Sequence, residues 1–483
     1  HRVVQDAVGD PRLKDPVSPF VQLLWERGTL FERETIATLG EAFTDLSAFS
    51  GDDKERRTRE AIARGDALIY SGRLTVDELL GEPDLLRREK GGYVAVDIKS
   101  GAGKAGADED AGEEGKLKKP YGVQLALYTD ILIRLDVSAG RFGYIWDVHG
   151  QEMRYDLDTP LGPRSPCLWE IYLATRLALQ RSLADPASSQ PAATAACKLC
   201  VWHTACLQVL MQARDLTLLP ELGRAKRDAL AGQFSTLEEL AAENVERFCH
   251  GEKKTDFTGI GASTLRKFQR RAELAVTPEP VPYLTRPVVW PSAEVELFFD
   301  IETDPMRDLC YLHGLVIREG GPGSAERFEG IFATEATPAA EQEAFAAAMA
   351  RFRAYPSAAV VHYSKYERTE YRKLQRKYPQ IATAEEIEAL FTRPRALDLY
   401  FDVVKPGSEW PTRDFSVKSL AKCCGFQWRD ADPSGASSIE WFDRWAKTAD
   451  PSLKQRLLDY NQDDCVAMRV VMDAMKSMRL QAA

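Results

Sequence analysis

The 483 residues, 44% of them apolar, supply material for several hydrophobic cores, and the length leads us to expect about three domains. A net charge of −10 excludes a general attraction for polyanions, so nucleic-acid binding would have to come from local basic patches and metal ions. The sequence also holds no apolar run near the roughly 18 residues that span a bilayer, no secretory leader and no Walker A motif, which excludes a P-loop motor within it.

The chain opens at His1 rather than Met, which suggests N-terminal trimming, and its nine mostly scattered cysteines fit a reducing, cytoplasmic compartment. Residues 1–100 mix helical stretches with a strand that ends at Lys99. Tyr93 to Lys99 alternates and is β-branched, as in a half-buried strand. Asp97 and Lys99 lie two apart and so share a face, and Asp84 follows the turn Gly81-Glu82-Pro83. Two carboxylates can hold Mg²⁺ or Mn²⁺ through oxygen, and Lys99 could orient water or stabilise developing charge. Residues 101–118 are small, charged and aperiodic, the composition of a mobile loop. A helix is expected from about Tyr121 to Leu135. On it Gln124 and Tyr128, at i and i+4, can line the same cleft as the carboxylates.

GEPD, VDIK and QLALY stand in the order and approximate spacing of the RecB-like branch of the PD-(D/E)xK nuclease superfamily, which the sequence resembles over roughly residues 20–210. The resemblance implies Asp84 and Asp97 as metal ligands and Lys99 as a catalytic group. The family's upstream Gly-x-x-x-His corresponds to Gly28 through Glu32, so Glu32 would stand in as an extra metal ligand.

A second helix is expected over about Leu168–Leu183. A Pro/Ala/Ser linker over 185–194 then leads into Cys197-x2-Cys200-x5-Cys206. Three thiols at this spacing point to a metal. With His203 they could form a Cys3His zinc site; alternatively they hold three irons of a [4Fe–4S] cluster and need a fourth cysteine. The spacing resembles the cysteine trio of iron–sulfur RecB-like nucleases, and we favour the cluster, as a staple closing the fold. Cys167 is a weak candidate for the fourth ligand.

Residues 216–275 read as helical with two glycine-centred turns, around Gly223 and around Gly259 and Gly261. Both precede basic helical runs and resemble helix-hairpin-helix turns. Such turns aim backbone N–H groups at a phosphate, with Lys226, Arg227, Arg266 and Lys267 adding counter-charge. Residues 276–292 carry five prolines and read as an inter-domain linker.

From Val295 the order is strand, strand, strand, helix, strand, helix, an α/β pattern. Asp300 and Glu302 end the first strand on one face. Glu367 opens a helix after the short strand Ala359–Tyr363, and Tyr460 and Asp464 are i and i+4 on a late helix. Four carboxylates from distant segments fit a two-metal phosphodiester site, with Tyr460 placed to hydrogen-bond the attacking water. FDIET and YNQDD resemble the first and third motifs of the DnaQ-like (DEDD) exonucleases of the ribonuclease H-like fold, in the tyrosine-containing subtype. The second motif departs from the family pattern, since Glu367 replaces its Asp and Asp398 competes for that role.

The expected fold class is thus α/β and multidomain. It comprises a PD-(D/E)xK nuclease with a cysteine metal cluster over 1–210, a helix-hairpin-helix segment over 211–280 and a ribonuclease H-like domain over 290–483. That order resembles a bacterial family of RecB-type nucleases in which a helicase domain can follow. The expected function is a Mg²⁺- or Mn²⁺-dependent deoxyribonuclease acting on single-stranded or frayed ends. The resemblance implies 3′→5′ polarity for the C-terminal domain, DNA as partner and a helicase as a second one. A DNA-binding scaffold with one or both sites inactive and an RNA-trimming exonuclease are the alternatives.

Overall fold

The β-branched segment before Lys99 forms the strand Gly92–Ile98, and it is buried at every position rather than on one face. The computed structural model, which describes residues 1–105, 115–162 and 165–481, gives the reason. This strand lies inside a six-stranded mixed sheet, antiparallel to Leu85–Glu89 and parallel to Phe142–Trp146. The sheet order is Thr44–Asp45, Leu68–Tyr70, Leu85–Glu89, Gly92–Ile98, Phe142–Trp146, Glu152–Asp156. Ala95 packs with Leu125 and Ile145 in one core, while Val96 and Ile98 pack with Leu68 and Leu85 in another. With both faces covered, the alternation in the sequence has no exposed side to mark.

The helix Lys119–Arg134 is the crossover between the two parallel strands, which a hairpin cannot join. Pro120 fits its first turn, where no intrahelical N–H is needed, and Leu125, Ala126, Tyr128, Ile131 and Leu132 form its buried stripe. The loop expected over 101–118 falls largely at 106–114, outside the described residues; the flanking Lys104–Ala105 and Lys116–Leu117 pair with each other.

The chain folds as two compact units, residues 1–9 with 21–189 and residues 10–20 with 190–483. The mixed sheet belongs to the first. The cysteine segment belongs to the second, where residues 10–20 pack on it: Asp15 N–H donates to Val201 O (2.7 Å) and Thr204 N–H to Asp15 Oδ2 (2.9 Å).

In the second unit, residues 216–276 form the helices Arg224–Leu230, Leu237–Ala242 and Ala262–Val276 around a core that includes Leu222, Phe234, Leu240, Leu265 and Phe268. A short hairpin, Cys249–His250 with Lys254–Thr255, interrupts the expected all-helical run. The proline-rich stretch 276–292 also differs from a bare linker. Tyr283–Leu284 pairs antiparallel with Ser408–Glu409, and both residues are buried. Prolines cannot donate to a ladder, so the few residues between Pro282 and Pro287 are the ones left to pair, and Thr285 N–H extends the bonding to Gly407 O.

Residues 295–477 build a five-stranded sheet in the order Glu326–Phe332, Leu309–Glu319, Val295–Asp304, Ala359–His362, Ala396–Asp398. The first three are antiparallel and the last two join in parallel. The strand Val295–Asp304 supplies both faces. Leu297, Phe299 and Ile301 pack with Phe345, Met349 and Tyr371 on one side; Phe298 packs with Leu457, Met468 and Met472 of the long helix Pro451–Ser477 on the other. Asp300 and Glu302 share parity with Phe298, so the strand period alone sends both carboxylates toward the long helix.

Candidate metal site of the C-terminal domain

Asp300, Glu302 and Asp464 meet at the end of the strand Val295–Asp304, with one ligand atom from each lying within 4.8 Å of the others; among the described residues no other such group of three or more occurs. A break in strand register between Glu302 and Thr303 falls at this point, where a bulge re-aims side chains. Glu302 and Asp464 are buried, and Asp300 keeps some exposure.

Each carboxylate is held by a named donor. Asn461 Nδ2 donates to Asp300 Oδ2 (2.8 Å), Ser438 Oγ to Glu302 Oε2 (2.7 Å) and Trp428 Nε1 to Asp464 Oδ1 (2.7 Å). Lys418 Nζ donates to both oxygens of Asp464 and to Tyr460 Oη, each at 2.9 Å. Burial, then the charges of Asp464 and Glu302, hold the Asp300 carboxyl well above the usual carboxylate range. Burial and then Asp464 push Glu302 up to about 8. Burial also raises the Tyr460 phenol, so it remains a donor at neutral pH. Three carboxylates crowded from two elements, two of them raised by that crowding and by burial, are the donor set a hard divalent cation satisfies, so the residues fit Mg²⁺ or Mn²⁺.

Glu367 lies outside this group. It is buried in the first turn of the helix Tyr366–Lys377; its Oε2 has no hydrogen-bond partner and stands 3.8 Å from His362 Nδ1. Its charge nevertheless acts on Asp300, and burial raises its own carboxyl well above the ordinary range. Asp398 is committed elsewhere: its Oδ1 accepts from the N–H groups of Ser364, Tyr400 and Phe401 at 2.9–3.0 Å.

Asn461 is the residue most readily missed, although it sits inside YNQDD. Its position next to Tyr460 and three before Asp464 places it on the same helical face. Its backing is Gly314, the residue opposite Asp300 in the neighbouring strand. A Cβ there would fall 1.6 Å from Asn461 Oδ1. Gly314→Ala is therefore expected to push Asn461 off Asp300 and lower the domain's kcat/KM for cleavage about tenfold or more, the effect of losing one hydrogen bond to a charged group. Steady-state cleavage with a parallel melting curve checks this; unchanged kcat/KM would remove Asn461 from the site.

In the first unit, Ile98 N–H donates to Asp84 Oδ2 (2.6 Å), and burial followed by the charge of Asp97 pushes Asp84 up to about 8. Asp97 is 1% exposed, and the Lys99 ammonium lies against its Oδ2. Glu32, on the helix Pro19–Ala37, bonds Tyr70 and adds its charge at Asp84. Gln124 Nε2 donates to Tyr128 Oη (2.8 Å), whose phenol is raised by burial and by Asp97.

Of the cysteines, Cys206 is pushed up by burial and then by Cys200 and Cys197, so the three thiols share one locality. Cys167 caps the helix Leu168–Ala184. Gly223 and Gly261 are the N-caps of Arg224–Leu230 and Ala262–Val276, and Gly259 adopts φ +75, which the turn requires of a glycine. The expected counter-charges divide. Arg227 is buried against Asp215, Asp228 and Pro191 O, and Arg266 pairs with Glu246. Lys226 donates to Glu221 O and lies 5.1 Å from the Phe268 ring centre, and Lys267 is half-buried with its charge acting on Glu221.

Among the described residues no helix is long and apolar enough to cross a membrane. No curated protein and no solved structure compared with the chain matches it. Residues 297–476 match the family model of the RNase H superfamily, so the domain that gathers Asp300, Glu302 and Asp464 is RNase H-like.

Proposed function

We propose that the protein is a metal-dependent nuclease with two hydrolytic modules that acts on phosphodiesters of single-stranded or frayed DNA ends. The observation that carries this reading is the convergence of Asp300, Glu302 and Asp464 from a strand and a distant helix. These three side chains would hold the divalent ions, which supply Lewis-acid polarisation of the phosphate and activation of water. Asn461, Ser438 and Trp428 fix the carboxylates so that little reorganisation remains when substrate arrives. Tyr460, kept protonated, hydrogen-bonds the attacking water and orients it.

Asp84, Asp97 and Lys99 form the second module, of PD-(D/E)xK type, with Glu32 as an additional ligand and Gln124 and Tyr128 lining the cleft. The shared locality of Cys197, Cys200 and Cys206 supports a [4Fe–4S] cluster as a structural staple, with zinc on these thiols and His203 as the alternative. The turns at Gly223 and at Gly259–Gly261, with Lys226 and Lys267, would hold the DNA backbone, and a helicase is the proposed partner.

The test is cleavage of end-labelled single-stranded DNA and matched RNA with Mg²⁺ or Mn²⁺ by the parent, Lys99→Ala and Asp300→Ala proteins. Each variant is expected to lose one product ladder, with a rate drop of about 10²–10³-fold for that activity. Lys99→Ala leaving every product unchanged while Asp300→Ala abolishes all of them leaves a single module; cleavage of RNA alone reverses the choice of substrate.

A further inference from the structure

Lys418 sits on the short helix Val417–Cys423 and takes no part in the sequence motifs. Its ammonium nevertheless reaches both oxygens of Asp464. With Trp428 Nε1 also on Oδ1, neither oxygen of Asp464 is without a donor. A divalent ion bound by the triad needs at least one of these oxygens, and two cations cannot share it closely without strong repulsion. Metal entry therefore has to move the lysine. Its side chain retains 26% exposure, so it has a route outward, and its contact with Tyr460 Oη marks the edge where a substrate phosphate would lie beside the water-orienting tyrosine.

We propose that Lys418 is an exchangeable counter-cation: it neutralises Asp464 while the triad lacks metal, and it transfers to a backbone phosphate of the bound strand when a divalent ion takes Asp464. The proposal rests on the triad being the nuclease site. It makes Lys418 a positioning residue through which metal and strand binding help one another. The strand phosphate gives the displaced ammonium a new partner and so lowers the cost of metal entry.

The experiment is Mn²⁺ binding to the full chain by calorimetry, without nucleic acid, for the parent, Lys418→Met and Lys418→Arg proteins. It is paired with anisotropy of a labelled oligothymidylate in Ca²⁺. Lys418→Met is expected to bind Mn²⁺ roughly tenfold tighter and the strand roughly tenfold weaker, with Lys418→Arg near the parent in both because it keeps the cation. Far-UV circular dichroism verifies that each variant folds, and Lys418→Gln replaces Lys418→Met if the latter does not. Unchanged or weaker Mn²⁺ binding, or unchanged strand binding, overturns the exchange. A parent that binds no more Mn²⁺ than Asp300→Asn/Glu302→Gln overturns the nuclease reading itself, a different result from a parent that binds metal without responding to the lysine.

Discussion

Asp300→Asn is expected to reduce cleavage by the RNase H-like domain about 10²–10³-fold and, in chelator, to raise the melting temperature. The two effects share a cause. Asp300 sits with Asp464 and Glu302 in a buried group, and its carboxyl is held well above the ordinary range by that burial and by their charges. An amide keeps the shape and can still bond Asn461, but it removes one negative charge that the metal-free fold has to tolerate and the metal-bound fold needs. The pH dependence follows with a definite sign. Glu302, ordinarily near 4.5, is pushed up to about 8. Between those values the unfolded chain releases a proton that the native one retains, so metal-free stability is full below about 4.5 and is lost as pH rises toward 8. Melting curves at pH 5 and 8, with and without Mg²⁺, check this. The parent is expected to lose stability at pH 8 in chelator and recover it with Mg²⁺, and Asp300→Asn to lose less. Full cleavage by Asp300→Asn would remove the triad as the catalytic centre.

The parts of this site legible in the sequence are those that local periodicity fixes. Asp300 and Glu302 lie two apart on a strand, and Tyr460 and Asp464 four apart on a helix, so each pair's shared face needs no tertiary knowledge. What joins the pairs is tertiary. Lys418 and Trp428 reach Asp464 from separate segments, and Ser438 reaches Glu302 from another, none with a spacing that marks it. Glu367 shows the limit in the other direction. Its place at the start of a helix was readable, but the structure leaves it buried beside His362 and outside the triad. The strand Gly92–Ile98 was recognisable from its β-branched residues, whereas its double-sided burial depends on the neighbours that cover it. The stretch 276–292 illustrates how composition misleads. Proline density signals a linker, yet Tyr283 and Leu284 between the prolines are enough to form a paired, buried segment.

That segment bears on the prediction with the largest effect on stability, Arg271→Met. Arg271, on the helix Ala262–Val276, is 2% exposed. Its Nε donates to Glu409 Oε2 (2.8 Å), and its Nη1 to Pro220 O (2.8 Å) and Glu221 Oε2 (3.0 Å), while the guanidinium lies 4.7 Å from the Phe415 ring centre. Glu409 belongs to the strand that pairs with Tyr283–Leu284 and is itself 3% exposed. Methionine fills much of the volume but leaves that carboxylate buried without its cation, and removing one partner of a buried pair costs about 3–5 kcal/mol. Urea unfolding is expected to report a loss of that size, and Glu409→Gln in the Arg271→Met background to recover part of it, because the stranded charge is then gone. The same pair ties the helical segment to the RNase H-like domain within one unit. A single cooperative transition is therefore expected over residues 216–477, replaced in Arg271→Met by two separable ones. A loss below about 1 kcal/mol would place the pair among contacts that solvent already screens.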